Sequence, residues 1–181
     1  MKNHTKTWRK IDTNNIFQVD RLGLADSFES GKSLTIGVDY HNKNSVNDNE
    51  YGLKLAKVYR DNAENLIPET STLNKKNSHL FGGINLKKSD FINLEYNFAA
   101  KKIDTIKDHN LELELSINNF VTNFNFIEED GIIGSQHVIE NRSTFQFNEK
   151  NYVTFKTRRN KEINLTEYYD LIYEYKNDCL K

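Results

Sequence analysis

A strict alternation of apolar and polar residues is the feature that most constrains how this chain can fold. It is clearest in residues 110–118, where leucine or isoleucine stands at every odd position from Leu111 to Ile117 and a polar residue stands at every even position. Successive side chains of a β-strand point to opposite faces of a sheet, so a period of two predicts a strand with one apolar and one polar face. A helix would need a period near 3.6 residues.

The same alternation recurs along most of the chain. The predicted strands are residues 16–22, 33–40, 51–60, 80–86, 92–98, 110–118, 120–126, 139–147, 153–157 and 165–175. Short connections such as Asn118-Asn119, where asparagine tolerates a positive φ, predict antiparallel neighbours. The sequence therefore predicts an all-β, antiparallel up-and-down meander of about nine to ten strands, with no helix.

Polar segments without periodicity are predicted to be loops. Residues 1–14 are expected to be a loop or a frayed N-terminus of one domain that spans residues 1–181. Further loops are predicted at residues 23–32, 41–50, 61–78 and 128–131, of which 61–78 holds the only proline.

Charge and hydropathy exclude two classes of protein. The 25 basic and 26 acidic side chains are nearly balanced, so the concentrated basic face of a nucleic-acid-binding protein is not expected. Only 36% of residues are hydrophobic, the mean hydropathy is −0.76, and no run approaches the ~20 apolar residues of a membrane helix. A transmembrane β-barrel stays compatible with these values, because only alternate residues of its strands face lipid.

The alternation leaves open whether the apolar face meets lipid or a protein core. Several predicted strands reach the ~9–12 residues that cross a membrane, and aromatic residues lie near strand ends, as barrel girdles require. The polar face carries too many charges for a small dry barrel, since unpaired buried charges are costly. This combination favours an arc of a larger outer-membrane β-barrel with a wet lumen. The alternative is a soluble β-barrel or sandwich that binds a small apolar ligand on its inner apolar face.

The membrane interpretation assigns each face its residues. The residues expected to face lipid are Leu34, Ile36, Val38, Tyr40, Leu94, Tyr96, Leu111, Leu113, Leu115, Tyr169, Leu171, Tyr173 and Tyr175. The residues expected to face the lumen are Glu95, Glu112, Glu114, Arg158, Glu174 and Lys176.

Two ordered passages carry a family resemblance. The first is Asn15-Ile16-Phe17 followed by Asp20-Arg21, then Glu29 and Gly31, and then a strand from Leu34 to Tyr40. The second is TEYYDLIYEYKNDCL at residues 166–180. Together they resemble the lipopolysaccharide-assembly protein of Gram-negative outer membranes (LptD, also called OstA), near the C-terminal side of its barrel. The resemblance covers nearly the whole chain but only part of the family's protein.

The resemblance implies a role in the outer membrane. Its family inserts lipopolysaccharide into the outer leaflet, with a lipoprotein plug inside the barrel and a periplasmic bridge that delivers the substrate. These strands would then be barrel wall, with no cofactor and no enzymatic step. Cys179, the only cysteine, matches a position where the family places a cysteine that bonds to its periplasmic N-terminal domain. Family members often carry two adjacent cysteines there, whereas this chain has Leu180.

No constellation in the sequence predicts catalysis or a metal site. The histidines, His4, His41, His79, His109 and His137, lack the spacing of metal ligands. Glu112 and Glu114 can in principle pair for acid–base chemistry, but solvated side chains on a polar strand face are the favoured interpretation. Arg158-Arg159 can attract phosphates, although ordinary charges at a strand end explain them more simply.

Overall fold

The computed structural model describes residues 11–22, 29–65, 67, 69–102, 105–131 and 134–176, and these form nine β-strands. The strands are β1 (Ser33–Asn44), β2 (Asn49–Arg60), β3 (Asn77–Lys88), β4 (Ile92–Lys102), β5 (Thr105–Ile117), β6 (Phe120–Gly131), β7 (Gly134–Asn148), β8 (Asn151–Asn160) and β9 (Leu165–Tyr175). A single 3₁₀ turn, Glu69–Ser71, is the only helical element within those ranges. In the same part of the chain, no helix has the length and apolar character needed to cross a bilayer.

All nine strands form one sheet in sequence order, and each strand is antiparallel to the next. The prediction of an all-β antiparallel meander is therefore confirmed. Four short connections, residues 45–48, 89–91, 118–119 and 149–150, lie at one end of the sheet, which we call the turn end. The chain enters β1 and leaves β2 at the opposite end, which we call the loop end. In the described part of the chain, β1 and β9 are the edge strands.

The strands are staggered relative to one another. A row of directly paired residues begins with Tyr51, near the turn end of β2, and runs through Leu86, Leu94, Leu113, Phe124, Asn141 and Thr157 to Tyr169, in the loop-end half of β9. A progressive stagger of this kind makes strands tilt, which is how a curved or barrel-like wall is built.

One predicted strand, residues 16–22, is wrong. Residues 11–22 instead form consecutive turns, a segment that we call the strap. The Asp12 carboxylate accepts hydrogen bonds from the backbone N–H groups of Asn14 and Asn15, at 2.7 and 3.1 Å, and the Asp12 carbonyl accepts one from Ile16 at 3.1 Å. A local turn that satisfies its own backbone competes with strand pairing, which explains the failure of the pattern.

The predicted loops at residues 41–50 and 128–131 are also corrected at their ends. β1 continues to Asn44, and β6 continues through the acidic residues to Gly131, which pairs with Gly134 of β7. Backbone pairing with the neighbouring strand satisfies these residues whatever their side chains are, so polarity alone did not stop the strands. The remaining long connection, residues 61–76, leaves the sheet as predicted.

The buried core lies at the loop end, on the face of the sheet that is otherwise polar. The strap and the 61–76 connection cover this part of β2, β3 and β4. Its members are Ile11, Ile16, Leu22, Ala56, Val58, Ile67, Leu73, Phe81 and Ala99. Burying the side chains of Ile16, Val58 and Leu73 completely contributes roughly 1.5–3 kcal/mol each relative to exposure.

Candidate functional site

The register places all thirteen residues predicted to face lipid on one side of the sheet, which we call the apolar face. Val38 pairs with Leu55, and Leu113 pairs with Leu94 on one side and Phe124 on the other. Directly paired residues point to the same face of an antiparallel sheet. This face is bare: Leu171 is 76% exposed and Tyr173 is 64% exposed.

Aromatic side chains gather towards both ends of the apolar face. At the turn end, Phe145 and Phe147 meet edge to face with ring centroids 4.9 Å apart. Towards the loop end, the Tyr96 hydroxyl hydrogen-bonds Nδ1 of His109 at 2.7 Å. Leucine, isoleucine and valine fill most of the space between these rims, but Thr122, Asn141 and Ser143 form a hydrogen-bonded polar group on the same face of β6 and β7. On β2 the rims are eight residues apart, from Tyr51 to Tyr59, or about 26 Å along a strand.

The opposite side, which we call the polar face, carries all six residues predicted to face a lumen. The register places five of them there directly, namely Glu95, Glu112, Glu114, Arg158 and Glu174. The sixth, Lys176, follows β9 with its ammonium 3.9 Å from the carboxylate of Glu174 and 4.4 Å from the ring centroid of Tyr152 on the same face.

A groove of about 450 Å³ runs across this polar face. Its lining comes from six successive strands, β4 to β9, and a single face can enclose such a space only if the sheet curls with that face inside. Glu112 and Glu114 line it, while Arg158 bridges Glu140 at 2.8 Å and Glu167 at 2.7 Å. The polar face is therefore the concave, hydrated side of the sheet.

The strap is held against the polar face by the buried guanidinium of Arg21. Its Nε and Nη2 atoms donate to the two carboxylate oxygens of Glu29, both at 2.6 Å, in a bidentate pair. Nη1 donates to the carbonyl of Ile16 at 3.1 Å and to the hydroxyl of Thr35 at 2.7 Å, and Nη2 also donates to the hydroxyl of Ser33 at 3.1 Å. One side chain thus ties the strap to itself, to the connection before β1, and to β1.

A second arginine, Arg60, joins Arg21 and Glu29 in one buried cluster. We call this cluster of three residues the latch. Arg60, the last residue of β2, donates to Glu29 and to the carbonyl of Ser30, and its side chain is 1% exposed. The hydroxyl of Ser30 donates to Glu64 at 2.8 Å, which adds the 61–76 connection. Gly31 has φ +87°, a conformation that favours glycine, and a Cβ there would lie 3.2 Å from Nη2 of Arg60.

Burial and charge act in opposite directions on the Glu29 carboxyl. Burial raises the pKa of Glu29, but the hydrogen bond and charge of Arg21, together with the charge of Arg60, outweigh that effect. The pKa of Glu29 is therefore held below its ordinary value, and the carboxylate is ionised at neutral pH.

Three residues of the first resemblance passage, Ile16, Arg21 and Glu29, meet at the latch or in the core beneath it. Sequence reasoning placed them in a pattern but did not predict their contacts. It missed Arg60 altogether. The available signal was the run Ala56, Val58, Arg60 on the polar side of β2, where small or apolar residues break the polar alternation just before a basic residue.

The other candidate residues are dispersed. His109 and His137 lie at the loop-end rim of the apolar face, and His41 lies 3.8 Å from Glu50 on the polar face. In the part of the chain that the structure describes, no group of three or more His, Cys, Asp or Glu side chains is arranged to hold a metal ion. Cys179, predicted to form a disulfide, lies outside the described residues.

Comparison of the chain with protein-family models, with curated proteins and with solved structures gives no match. The functional argument therefore rests on the faces of the sheet, the latch and the groove.

Proposed function

We propose that this chain forms part of the wall of an outer-membrane β-barrel that assembles lipopolysaccharide in the outer leaflet. The apolar face contacts lipid, and the polar face lines a hydrated lumen through which the saccharide portion of the lipid passes. A lipoprotein plug in the lumen and a periplasmic bridge are the expected partners. The proposal includes no catalytic step and no cofactor.

The membrane part of the proposal rests on one observation, namely which face of the sheet is covered by other segments of the chain. The strap and the 61–76 connection bury apolar residues on the polar face, while the apolar side chains of the edge strands, Leu171 and Tyr173 among them, stay exposed and those of β4 and β5 are half-buried. A soluble barrel or sandwich with its apolar face inside would do the reverse. Exposed apolar surface of this extent marks contact with a lipid or protein partner.

Strand length, rims and connections support the same proposal. The strands have 10 to 15 residues, the span of a tilted transmembrane strand, against about 5–6 in most soluble sheets. The aromatic rims are about 26 Å apart along β2, which at a strand tilt of about 35–45° corresponds to about 18–21 Å across the membrane, somewhat less than the ~25 Å apolar band of outer-membrane barrels. The longest connection, residues 61–76, lies at the loop end, and long connections lie on the outer side of such barrels, which puts the strap towards the outside.

The open edges fit a larger wall. An unpaired sheet edge cannot lie in hydrocarbon, because its backbone groups have no water to bond. The edges of β1 and β9 would therefore pair with further strands in the complete barrel. Nine strands are also too few to enclose a groove lined by so many charges.

The lipopolysaccharide part of the proposal rests on the resemblance. Its support here is that the resembling residues are used together: Arg21 and Glu29 form the bidentate pair of the latch, and Gly31 adopts the positive φ beside them. A passage whose separated residues meet in one buried cluster acts as a structural unit, which supports the resemblance.

The test uses neighbouring positions that face opposite ways. A photo-crosslinking amino acid is placed at Glu112 or at Leu113 in the chain expressed in Gram-negative cells, and adducts are identified by mass spectrometry. We expect lipopolysaccharide adducts at position 112 and phospholipid adducts at position 113. Adducts with a small apolar ligand at position 113 in a soluble fraction would overturn the proposal and favour the soluble binder.

A further inference from the structure

Two directly opposed pairs on the polar face carry like charges, although oppositely charged pairs such as Arg158–Glu140 and Lys156–Asp170 lie on the same face. Glu95 and Glu112 are paired directly across β4 and β5, whereas Arg142 and Lys156 are paired directly across β7 and β8. Like charges placed directly opposite each other destabilise an antiparallel sheet. The folded sheet thus carries two unfavourable pairs on the same face, and folding alone does not account for them.

The basic pair lies within the groove. Arg142 and Lys156 both line it, and directly opposite residues have Cβ atoms about 4.5–5.5 Å apart, so both cationic groups can reach one anion. Nearby Arg158 is already engaged by Glu140 and Glu167. Within the described ranges, Arg142 and Lys156 have no carboxylate within 4.0 Å.

Other groups around the pair define what can bind there. Lys156 is also in register with Asp170 of β9, which will compete weakly for its charge. Asn123 pairs directly with Arg142, so β6 presents an amide to a ligand held by the basic pair. Glu114 lies in the same row, across β6 from Arg142 and about 10 Å away at the usual strand spacing, and Glu140 stands two residues from Arg142 on the same face of β7.

We propose that Arg142 and Lys156 form an anion-binding site for a phosphorylated or carboxylated saccharide in the groove. The two cations hold the anionic substituent, while Asn123 hydrogen-bonds sugar hydroxyl groups. The acidic wall on β4 and β5 repels a misplaced anion and so confines it to the β7–β8 side. This inference rests on the proposed function for the source of its ligand, but not for the chemistry of the site.

The test measures binding of soluble probes to the full chain folded in detergent micelles. Glucose 1-phosphate, glucose and inorganic phosphate are titrated while chemical shifts of groove residues are followed. Arg142→Gln and Lys156→Gln are each expected to weaken glucose 1-phosphate about threefold to fivefold, and the double variant roughly tenfold, as for partly exposed ion pairs. Arg142→Lys should retain binding.

Arg159→Gln is the matched control, because Arg159 lies on β8 but points to the apolar face. It should leave binding unchanged. Because Arg142→Gln relieves the repulsion with Lys156, this variant should unfold at the same or a higher denaturant concentration, so its loss of binding cannot reflect loss of fold. Lys156→Gln also loses its pairing with Asp170, so its denaturant midpoint is measured alongside. Unchanged affinity in the double variant, or an equal loss in Arg159→Gln, would overturn the site.

Two further outcomes distinguish a failure of the ligand assignment from a failure of the proposed function. Equal affinity for inorganic phosphate and glucose 1-phosphate would overturn the assignment to a saccharide. Absence of lipopolysaccharide adducts at position 112 would count against the proposed function, yet binding of the soluble probe does not depend on that result. The two proposals therefore fail in different experiments.

Discussion

Replacing Glu29 with glutamine should release the strap from the sheet. Glutamine keeps the size of the side chain and removes its charge, leaving Arg21 and Arg60 buried without their shared counter-ion. Their side chains are 6% and 1% exposed, so water compensates little. Breaking a buried ion pair by removing one partner costs about 3–5 kcal/mol.

That cost predicts a large change in the local opening of the strap. At about 1.4 kcal/mol per factor of ten, the equilibrium for opening rises by roughly two to three and a half orders of magnitude. Hydrogen exchange reports this opening directly, because Ile16 and Gln18 donate backbone hydrogen bonds inside the strap, at 3.1 and 2.9 Å. Exchange at these amides should accelerate, whereas amides in β5 and β6 should keep their wild-type rates.

The exposed ion pair between Lys87 and Asp48, 2.7 Å apart, provides the control. Asp48→Asn removes a carboxylate that is equally well placed geometrically, but water surrounds it. Exposed pairs contribute little, so strap exchange should not change. If Glu29→Gln left the exchange of Ile16 and Gln18 at wild-type rates, the argument that the latch holds the strap would be refuted. Equal acceleration in both variants would refute it as well.

Four further predictions follow from the same geometry. Leu113→Arg should reduce stability in phospholipid vesicles by about 2–4 kcal/mol, as measured by urea unfolding. Asn125→Arg on the other face, where the neighbours are Glu112 and Glu140, should have little effect. The lowered pKa of Glu29 means that its contribution to strap stability is present above its ordinary value of 4.5 and is lost as the pH falls through the lower folded value. The protection factors of the strap amides should therefore fall as the pH drops below 4.5, and Glu29→Gln should abolish that dependence. Gly37→Val should destabilise the fold by about 1–3 kcal/mol in thermal unfolding, because a Cβ there would lie 2.4 Å from a backbone oxygen of β2. Under the resemblance, Cys179→Ser should abolish a mobility difference between reduced and oxidised samples of the full-length protein on gels.

The strands could be predicted from the sequence because the alternation within each strand is enough to identify it. Alternation from Leu111 to Ile117 fixes two faces without any knowledge of neighbours, and Asn118, with φ 51°, occupies the turn that its side chain favours. Face assignment then follows for every paired strand, since a one-residue slip would move the whole apolar set to the other side.

The latch could not be predicted in the same way. Arg21, Glu29 and Arg60 are brought together from three segments by the path of the strap, and nothing local in the sequence specifies that path. The alternation in the strap is weak, yet it was enough to resemble a short strand, so its periodicity was misleading. Its turn arises from hydrogen bonds of Asp12 that a periodicity count does not register.

The departures from alternation carry information that the alternation itself does not. Ala56, Val58, Phe81 and Ala99 stand at polar-face positions, yet all four are apolar and buried. Apolar side chains at these positions would not stabilise a lumen wall that is in contact with water, whereas a wall covered by the strap needs them for packing. Most of the buried breaks in the pattern thus mark where the chain folds over its own sheet, at the loop ends of β2, β3 and β4. Elsewhere the polar face is mainly Glu, Asn, Arg and Lys, with Val121, Ile127, Val138 and Ile172 as apolar exceptions. The strap therefore covers one corner of the wall and leaves the groove on β4–β9 open to a ligand.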